Sequence, residues 1–413
     1  MSSKKRPLLV PQYMNQFSCI GSACEDSCCV GWRVSIDDSS YKKYNRVQDK
    51  EMKSLLDKNV TRVRSNSSSE NYAKIKMDDK GCCAFLTEDK LCTIQSKLGE
   101  EYLSNVCSTY PRVSNRVNGM LEKSATMSCP EAARLALLDP DGIKFDEIEE
   151  SSEIRNMIGK TMDTHDKRMM NKPQRYFWEL RIFTIQVIQN REYMLSERLI
   201  ILGMFYNKLQ DHISNHEIHE IPQLIASYTN MMSGGALRDL LTDIPAQKVI
   251  QMEILKELAD ERIIRGITSN RYLECFIEFL HGIQYTEEAS VDEIAERYQE
   301  AYDQYYQPFM KEHEYILENY LVNQVYKNMF PFGDYPTVFD EYIMLVIHHA
   351  LIKMHLIGLA GFHKGMDIEL AIKLIQSFAK TVEHNKLYLK QVYDLLHKNG
   401  YTSLPYMTIF IKN

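Results

Sequence analysis

Nine of the ten cysteines crowd into residues 19–129, and only Cys275 lies beyond them. They run Cys19, Cys24, Cys28, Cys29, Cys82, Cys83, Cys92, Cys107, Cys129, with two adjacent pairs. Ordinary cores use thiols singly, as small hydrophobes. An array this dense constrains the first third of the chain to fold around a shared chemistry: disulfides, zinc, or an iron–sulfur cluster.

The compartment bears on that choice. The N-terminus Met1-Ser-Ser-Lys-Lys-Arg-Pro-Leu-Leu-Val is basic at the start but lacks the apolar core and small-residue cleavage site of a signal peptide. A cytoplasmic location is expected, where clustered thiols read as metal ligands or redox groups rather than structural bridges. The longest apolar stretch, residues 343–362, is interrupted by His348, His349, Lys353 and His355. It is expected to be a buried core helix, neither a membrane span nor a histidine metal site. Net charge divides unevenly, about +4 over residues 1–140 and −11 over the rest. Neither part has the basic excess of a nucleic-acid binder.

The patterning predicts a mainly α protein: a small, irregular, cysteine-rich N-terminal module packed on a larger helical domain. Trp32, Val34 and Ile36 alternate with polar neighbours and predict a short strand. Residues 84–92 have polar residues where a hairpin turn fits, and a helix is expected over 94–106. Pro130-Glu-Ala-Ala-Arg-Leu-Ala-Leu-Leu opens like a helix, and Asp139-Pro-Asp-Gly stops it. Residues 141–173 are polar and read as a linker between domains 1–140 and 174–413. Beyond it apolar stripes recur at helical spacing, with helices near 217–231, 246–264, 271–282, 290–328, 338–359, 366–381 and 385–397. Gly234-Gly235, and Gly358 with Gly361, are expected to end helices.

The thiol spacing names no metal. It contains no C-x₂-C pair of the usual zinc sites and none of the familiar ferredoxin intervals. The segment Phe17-Ser-Cys-Ile-Gly-Ser-Ala-Cys-Glu-Asp-Ser-Cys-Cys-Val-Gly-Trp, however, resembles the N-terminal signature of the bacterial flagellin lysine-N-methylases. Later blocks agree in order: Cys83-Ala-Phe-Leu-Thr-Glu-Asp-Lys-Leu-Cys92, Cys107-Ser-Thr-Tyr-Pro-Arg112, Glu122, and Ser128-Cys129-Pro-Glu-Ala-Ala-Arg134. Asn319-Tyr-Leu-Val-Asn and Met329-Phe-Pro-Phe extend the likeness into the helical part.

That resemblance implies an S-adenosylmethionine-dependent methyltransferase acting on lysine amines of flagellin, with a cysteine-held [4Fe–4S] cluster; zinc is the alternative metal. The pool from which about four ligands are expected is Cys19, Cys24, Cys28, Cys29, Cys83, Cys92, Cys107 and Cys129. Cys82 stands outside the family pattern. Methyl transfer needs a neutral amine, and neutralising lysine at pH 7 costs roughly 4.6 kcal/mol, so a base or a desolvating pocket is required. Within the matching blocks Tyr110, Glu122 and Glu131 are the catalytic candidates, beside Glu25; Asp26 and Arg112 are candidates for holding the donor. No glycine-rich nucleotide loop follows a strand, so the donor pocket is expected between the cysteine module and the helices. The alternative is a non-enzymatic zinc- or iron-binding interaction protein whose helices hold a partner.

Overall fold

The computed structural model describes residues 4–242, 244–264, 266–267, 269–286 and 288–413. The chain forms two compact units. One comprises Met1–Arg116, Met120–Ala132 and Phe145–Thr161; the other comprises Val117–Gly119, Ala133–Lys144 and Met162–Asn413.

The first unit contains both small sheets. Strands β1 (Lys5–Pro11), β2 (Ser35–Ile36), β3 (Val60–Arg62), β4 (Ala73–Ile75), β5 (Arg112–Val117), β6 (Met120–Ala125), β7 (Phe145–Ser151) and β8 (Ile158–Met162) follow one another along the chain. One sheet has the order β7-β1-β6-β5-β8, the other β2-β4-β3. β1 runs parallel to β6, with Leu8 opposite Leu121, and antiparallel to β7, with Leu8 opposite Ile148. Residues 141–173, polar in sequence, therefore include two strands. In β7 only Glu147 and Glu149 are exposed, while the Glu150 side chain is buried against Lys123 and Arg6, and β8 carries one lysine and no carboxylate. The backbone ladder does the pairing, so no clean apolar alternation announces either strand.

The three-stranded sheet covers a core of Val34, Ile36, Tyr44, Met52, Leu56, Ile75, Phe85 and Ile94. Two capped helices close it. Asp37 accepts from the Ser40 N–H at 2.9 Å to start Asp38–Asn45, and Asp49 accepts from the Met52 N–H at 2.8 Å to start Lys50–Asn59. The helix expected over 94–106 is instead broken. Thr93–Leu98 ends at Gly99, whose φ of +96° suits glycine, and Ser104 caps a separate helix, Asn105–Thr109.

The second unit is helical, as the apolar stripes predict. Val338–His363 is 26 residues long and passes through its centre, and the apolar stretch that is long enough to cross a membrane is wholly buried inside the protein. Gly358 and Gly361 do not end this helix. They let Asn270–Gly282 cross it closely, since a Cβ added to Gly282 would land 1.8 Å from the Gly358 carbonyl oxygen. The segment expected as one helix over 290–328 divides into Val291–Ala301, a π-helical turn Tyr302–Tyr306, Gln307–His313 and Tyr315–Lys327. Pro308 lacks an N–H for the regular ladder, and the turn before it widens.

Candidate functional site

Local backbone pairing gathers the thiols. Cys29 accepts from the Cys83 N–H at 2.8 Å, and Gly31 donates to the Gly81 carbonyl at 2.9 Å. Val30 and Cys82 form an antiparallel bridge between them. The two adjacent cysteine pairs, more than fifty positions apart in sequence, thus face each other. The 84–92 hairpin closes through the Leu86–Cys92 bridge and the Thr93 N–H to Phe85 carbonyl bond of 2.8 Å, which brings in Cys92. Asp37 does the same for Cys107: its second carboxylate oxygen accepts from the Asn105 N–H at 2.9 Å and anchors that helix. Cys83 is buried in the core, with Cys29, Cys92 and Cys107 packed half-buried against it.

All ten cysteines are reduced thiols. Cys29 is hydrogen-bonded to Cys28 and Cys83, which holds its own proton firmly while lowering Cys83 to about 7. Burial pushes Cys107 up to about 12 and raises Cys92, and the charges of Cys28 and Cys83 act on both. A second group adjoins the first. Burial takes Cys129 to about 12, and it senses Cys24 and Cys19; Cys24, raised chiefly by burial, senses Cys28 and donates to the Asp26 carbonyl at 3.1 Å.

Three sulfurs also receive backbone N–H groups: Cys83 from Phe85, Cys92 from Gln95 and Ile94, and Cys129 from Ala132 and Glu131. The latter two sit at helix starts, where N–H groups lack helical acceptors. Among the described residues, no group of three or more His, Cys, Asp or Glu side chains stands in ligating geometry. The donor chemistry nevertheless suits a soft metal: converging thiols, with N–H groups aimed at sulfur as metal-bound thiolates require. Ligation would replace the protons that burial now retains.

The candidates from sequence divide by position. The Tyr110 hydroxyl lies 3.0 Å from Ser128 Oγ, and its ring is 5.9 Å from Trp32, whose indole donates to the Cys28 carbonyl at 2.6 Å. Burial raises the Tyr110 phenol well above its ordinary value, and Cys129, Cys28 and Asp26 act on it electrostatically. Tyr110, held as a neutral phenol, and Asp26 therefore border the thiols. Glu131 is the second residue of Pro130–Leu137, and its N–H bonds Cys129. Glu122 is buried in β6 opposite Leu9. Arg112 places its guanidinium over the Phe17 ring at 5.0 Å. Glu25 is exposed beside Cys24. Cys275 is a wholly buried core thiol.

The Asn319 block of the resemblance is a clamp within the helical unit. Asn319 donates to the Asp139 carbonyl at 2.9 Å and accepts from the Ile143 N–H at 3.1 Å, fixing the Asp139-Pro-Asp-Gly turn. Sequence reasoning passed over a polar cavity in the same unit, lined by Lys353, His349, Glu314, Tyr302 and Tyr306. The available signal was Lys353 itself, an ionisable group inside an apolar run.

Comparison with known proteins places this chain in one class, the protein-lysine N-methyltransferases. A family model for the FliB lysine N-methylase C-terminal domain matches residues 181–410. A lysine-N-methylase of Salmonella typhimurium is 24% identical over 387 residues, covering 91% of each chain, and one of Salmonella choleraesuis is equally similar. The flagellar biosynthetic protein FliU of Salmonella muenchen is 35% identical over 138 residues, 33% of this chain and 80% of that protein. No solved structure matches. The chain belongs to the FliB lysine N-methylase family and is a protein-lysine N-methyltransferase, which sets aside the non-enzymatic alternative.

Proposed function

We propose that the protein methylates lysine side chains of flagellin in the cytoplasm, using S-adenosylmethionine as donor and an iron–sulfur cluster held by its N-terminal thiols. The observation that carries the cluster reading is the convergence of Cys29, Cys83, Cys92 and Cys107 on one core, with Cys28 hydrogen-bonded to Cys29 at its edge. Backbone pairings bring in Cys83 and Cys92, and the Asp37 side chain brings in Cys107. The flagellar name of the relative that is 35% identical supports the substrate. Unbridged thiols support a reducing compartment.

In this reading the lysine nitrogen lone pair attacks the donor methyl carbon, the carbon–sulfur bond breaks, and the thioether departs with its electron pair. The substrate ammonium must first yield a proton to a base. The chain's own contribution is to bind both partners in line and exclude water. A cluster, when bound, would add a redox-active and charged centre beside Tyr110 and Asp26.

Protein purified under nitrogen, incubated with flagellin and S-adenosylmethionine, should add mass in steps of one methyl group. Unchanged flagellin mass with iron-loaded protein would reject the substrate or the donor. Full activity in protein stripped of iron would reject a catalytic cluster.

A further inference from the structure

Within the helical unit lies a cavity of about 260 Å³, built from three stretches of chain. Val338–His363 supplies His349 and Lys353, four residues apart and so on one face. The π turn supplies Tyr302 and Tyr306, stacked with ring centroids 5.5 Å apart. Glu314 closes a third side, held by the Leu195 N–H at 3.1 Å and by Arg198 at 2.5 Å.

Both polar groups on the long helix are under-partnered for their burial. Lys353 is 7% exposed, and its Nζ donates to the Ile411 carbonyl at 2.7 Å. His349 is 3% exposed, and its Nδ1 has no hydrogen-bond partner among the described residues. Burial is the leading cause lowering Lys353 to about 7, against a partial counter-effect from Glu314, and it keeps His349 neutral. Buried polar groups are normally satisfied, so each one that is not calls for a physical reason, a bound water, ion or ligand among them. The buried cluster around Glu383 is the contrast. Tyr320, Gln324 and Lys327 all bond its carboxylate within 2.7–2.8 Å, so it is internally complete.

The cavity pairs a cation acceptor with an anion acceptor. Lys353 lacks a carboxylate partner among its bonds, while Glu314 and the His349 nitrogen can each receive N–H groups. Met194, Met310 and the two tyrosine rings supply a polarisable apolar wall, suited to a thioether or sulfonium. A whole drug-sized ligand needs roughly 300–1,000 Å³, so this space takes one end of a larger molecule.

We propose that this cavity binds the zwitterionic amino-acid end of the methyl donor, its carboxylate on Lys353 and its ammonium on Glu314 and His349. The assignment rests on the reading that the donor is S-adenosylmethionine. It places the donor's amino-acid end wholly within the helical unit.

The test compares two stable compounds on the full chain by calorimetric titration. S-adenosylhomocysteine carries the amino-acid end; 5′-methylthioadenosine lacks it. The wild type should favour S-adenosylhomocysteine, and Lys353→Met should weaken that compound by at least about tenfold while leaving 5′-methylthioadenosine unchanged. Titration at pH 8 in buffers of different ionisation enthalpy should show proton uptake with S-adenosylhomocysteine, lost in Lys353→Met. Equal weakening of both compounds, or no weakening of either, overturns the site while leaving the donor reading intact. Failure of the wild type to bind S-adenosylhomocysteine removes the donor reading and the site with it. His349→Phe, which fills the space, guards against a folding artefact: it should reproduce the selective loss, and unchanged S-adenosylhomocysteine affinity would count against the site.

Discussion

The Cys83 N–H donates to the Cys29 carbonyl at 2.8 Å, and the two side-chain sulfurs are hydrogen-bonded as well. One backbone contact thereby fuses two adjacent-cysteine pairs into a single donor group. Replacing Cys83 by serine should strip most of the iron from anaerobically purified protein, along with its absorbance near about 400 nm. Cys275→Ala should keep both, because that thiol is enclosed in the Asn270–Gly282 helix. Iron per protein chain decides the matter; equal iron in wild type and Cys83→Ser would remove Cys83 from the ligand set.

Asp37 bonds the N–H groups of Ser40 and Asn105 with its two oxygens. Asp37→Ala removes a helix cap and the anchor of the Cys107 helix, a loss of about 2 kcal/mol by urea denaturation. Burial pushes this carboxyl up, but the hydrogen bonds from Ser39, Asn105 and Ser40 outweigh it and leave it lowered. Its stabilisation is therefore present above the unfolded carboxyl's range and fades as pH falls through the folded value. The variant should lose less stability than the wild type between pH 5 and pH 3, roughly the window set by an ordinary aspartate.

Lys353 gives a slope of the same sign in a higher pH window. Its folded value of about 7 lies below the ordinary lysine value, chiefly through burial, so between the two the unfolded chain holds more protons. Stability then rises with pH across that window, by up to roughly 1.4 kcal/mol per pH unit from this group alone. The Lys353→Met variant should lack the rise. Parallel stability curves for the two proteins from pH 7 to pH 9 would contradict the buried, lowered amine.

Arg198 is paired at once with Glu318, at 2.7 Å, and Glu314, and both Arg198 and Glu318 are almost fully buried. Arg198→Ala takes one of two guanidinium partners from the buried Glu318, leaving Arg191 at 2.8 Å, and removes the ion pair of the partly exposed Glu314, a loss of up to about 3 kcal/mol. Thermal denaturation should show a large drop, partly restored by the further change Glu318→Gln.

At the helix crossing, Gly358→Ala would drive a Cβ to 2.3 Å from the Phe279 ring and 2.8 Å from its carbonyl oxygen. Backbone at both sides leaves little room to relax, so the variant should be destabilised by about 1–3 kcal/mol. Gly365→Ala, with open space around it, is the control.

Period and punctuation in the sequence settled much of this protein. Apolar stripes foretold the helices beyond residue 174, Pro130 and the Asp139-Pro-Asp-Gly turn bounded theirs, and the cysteine-bearing blocks carried the resemblance to the family. These are local signals, written in neighbouring residues. Strands β7 and β8 were hidden because an edge strand is held by backbone bonds to distant partners, which its polar side chains do not advertise. The broken helix at Gly99 and the π turn before Pro308 show single residues overriding a continuous stripe. Which thiols meet, and that Lys353, His349 and Glu314 share a cavity, were decided by the tertiary structure alone. Convergence depends on long-range pairings such as Cys83 with Cys29 and on helices packing over Gly282 and Gly358, and no spacing along the chain encodes the distance between two side chains in space.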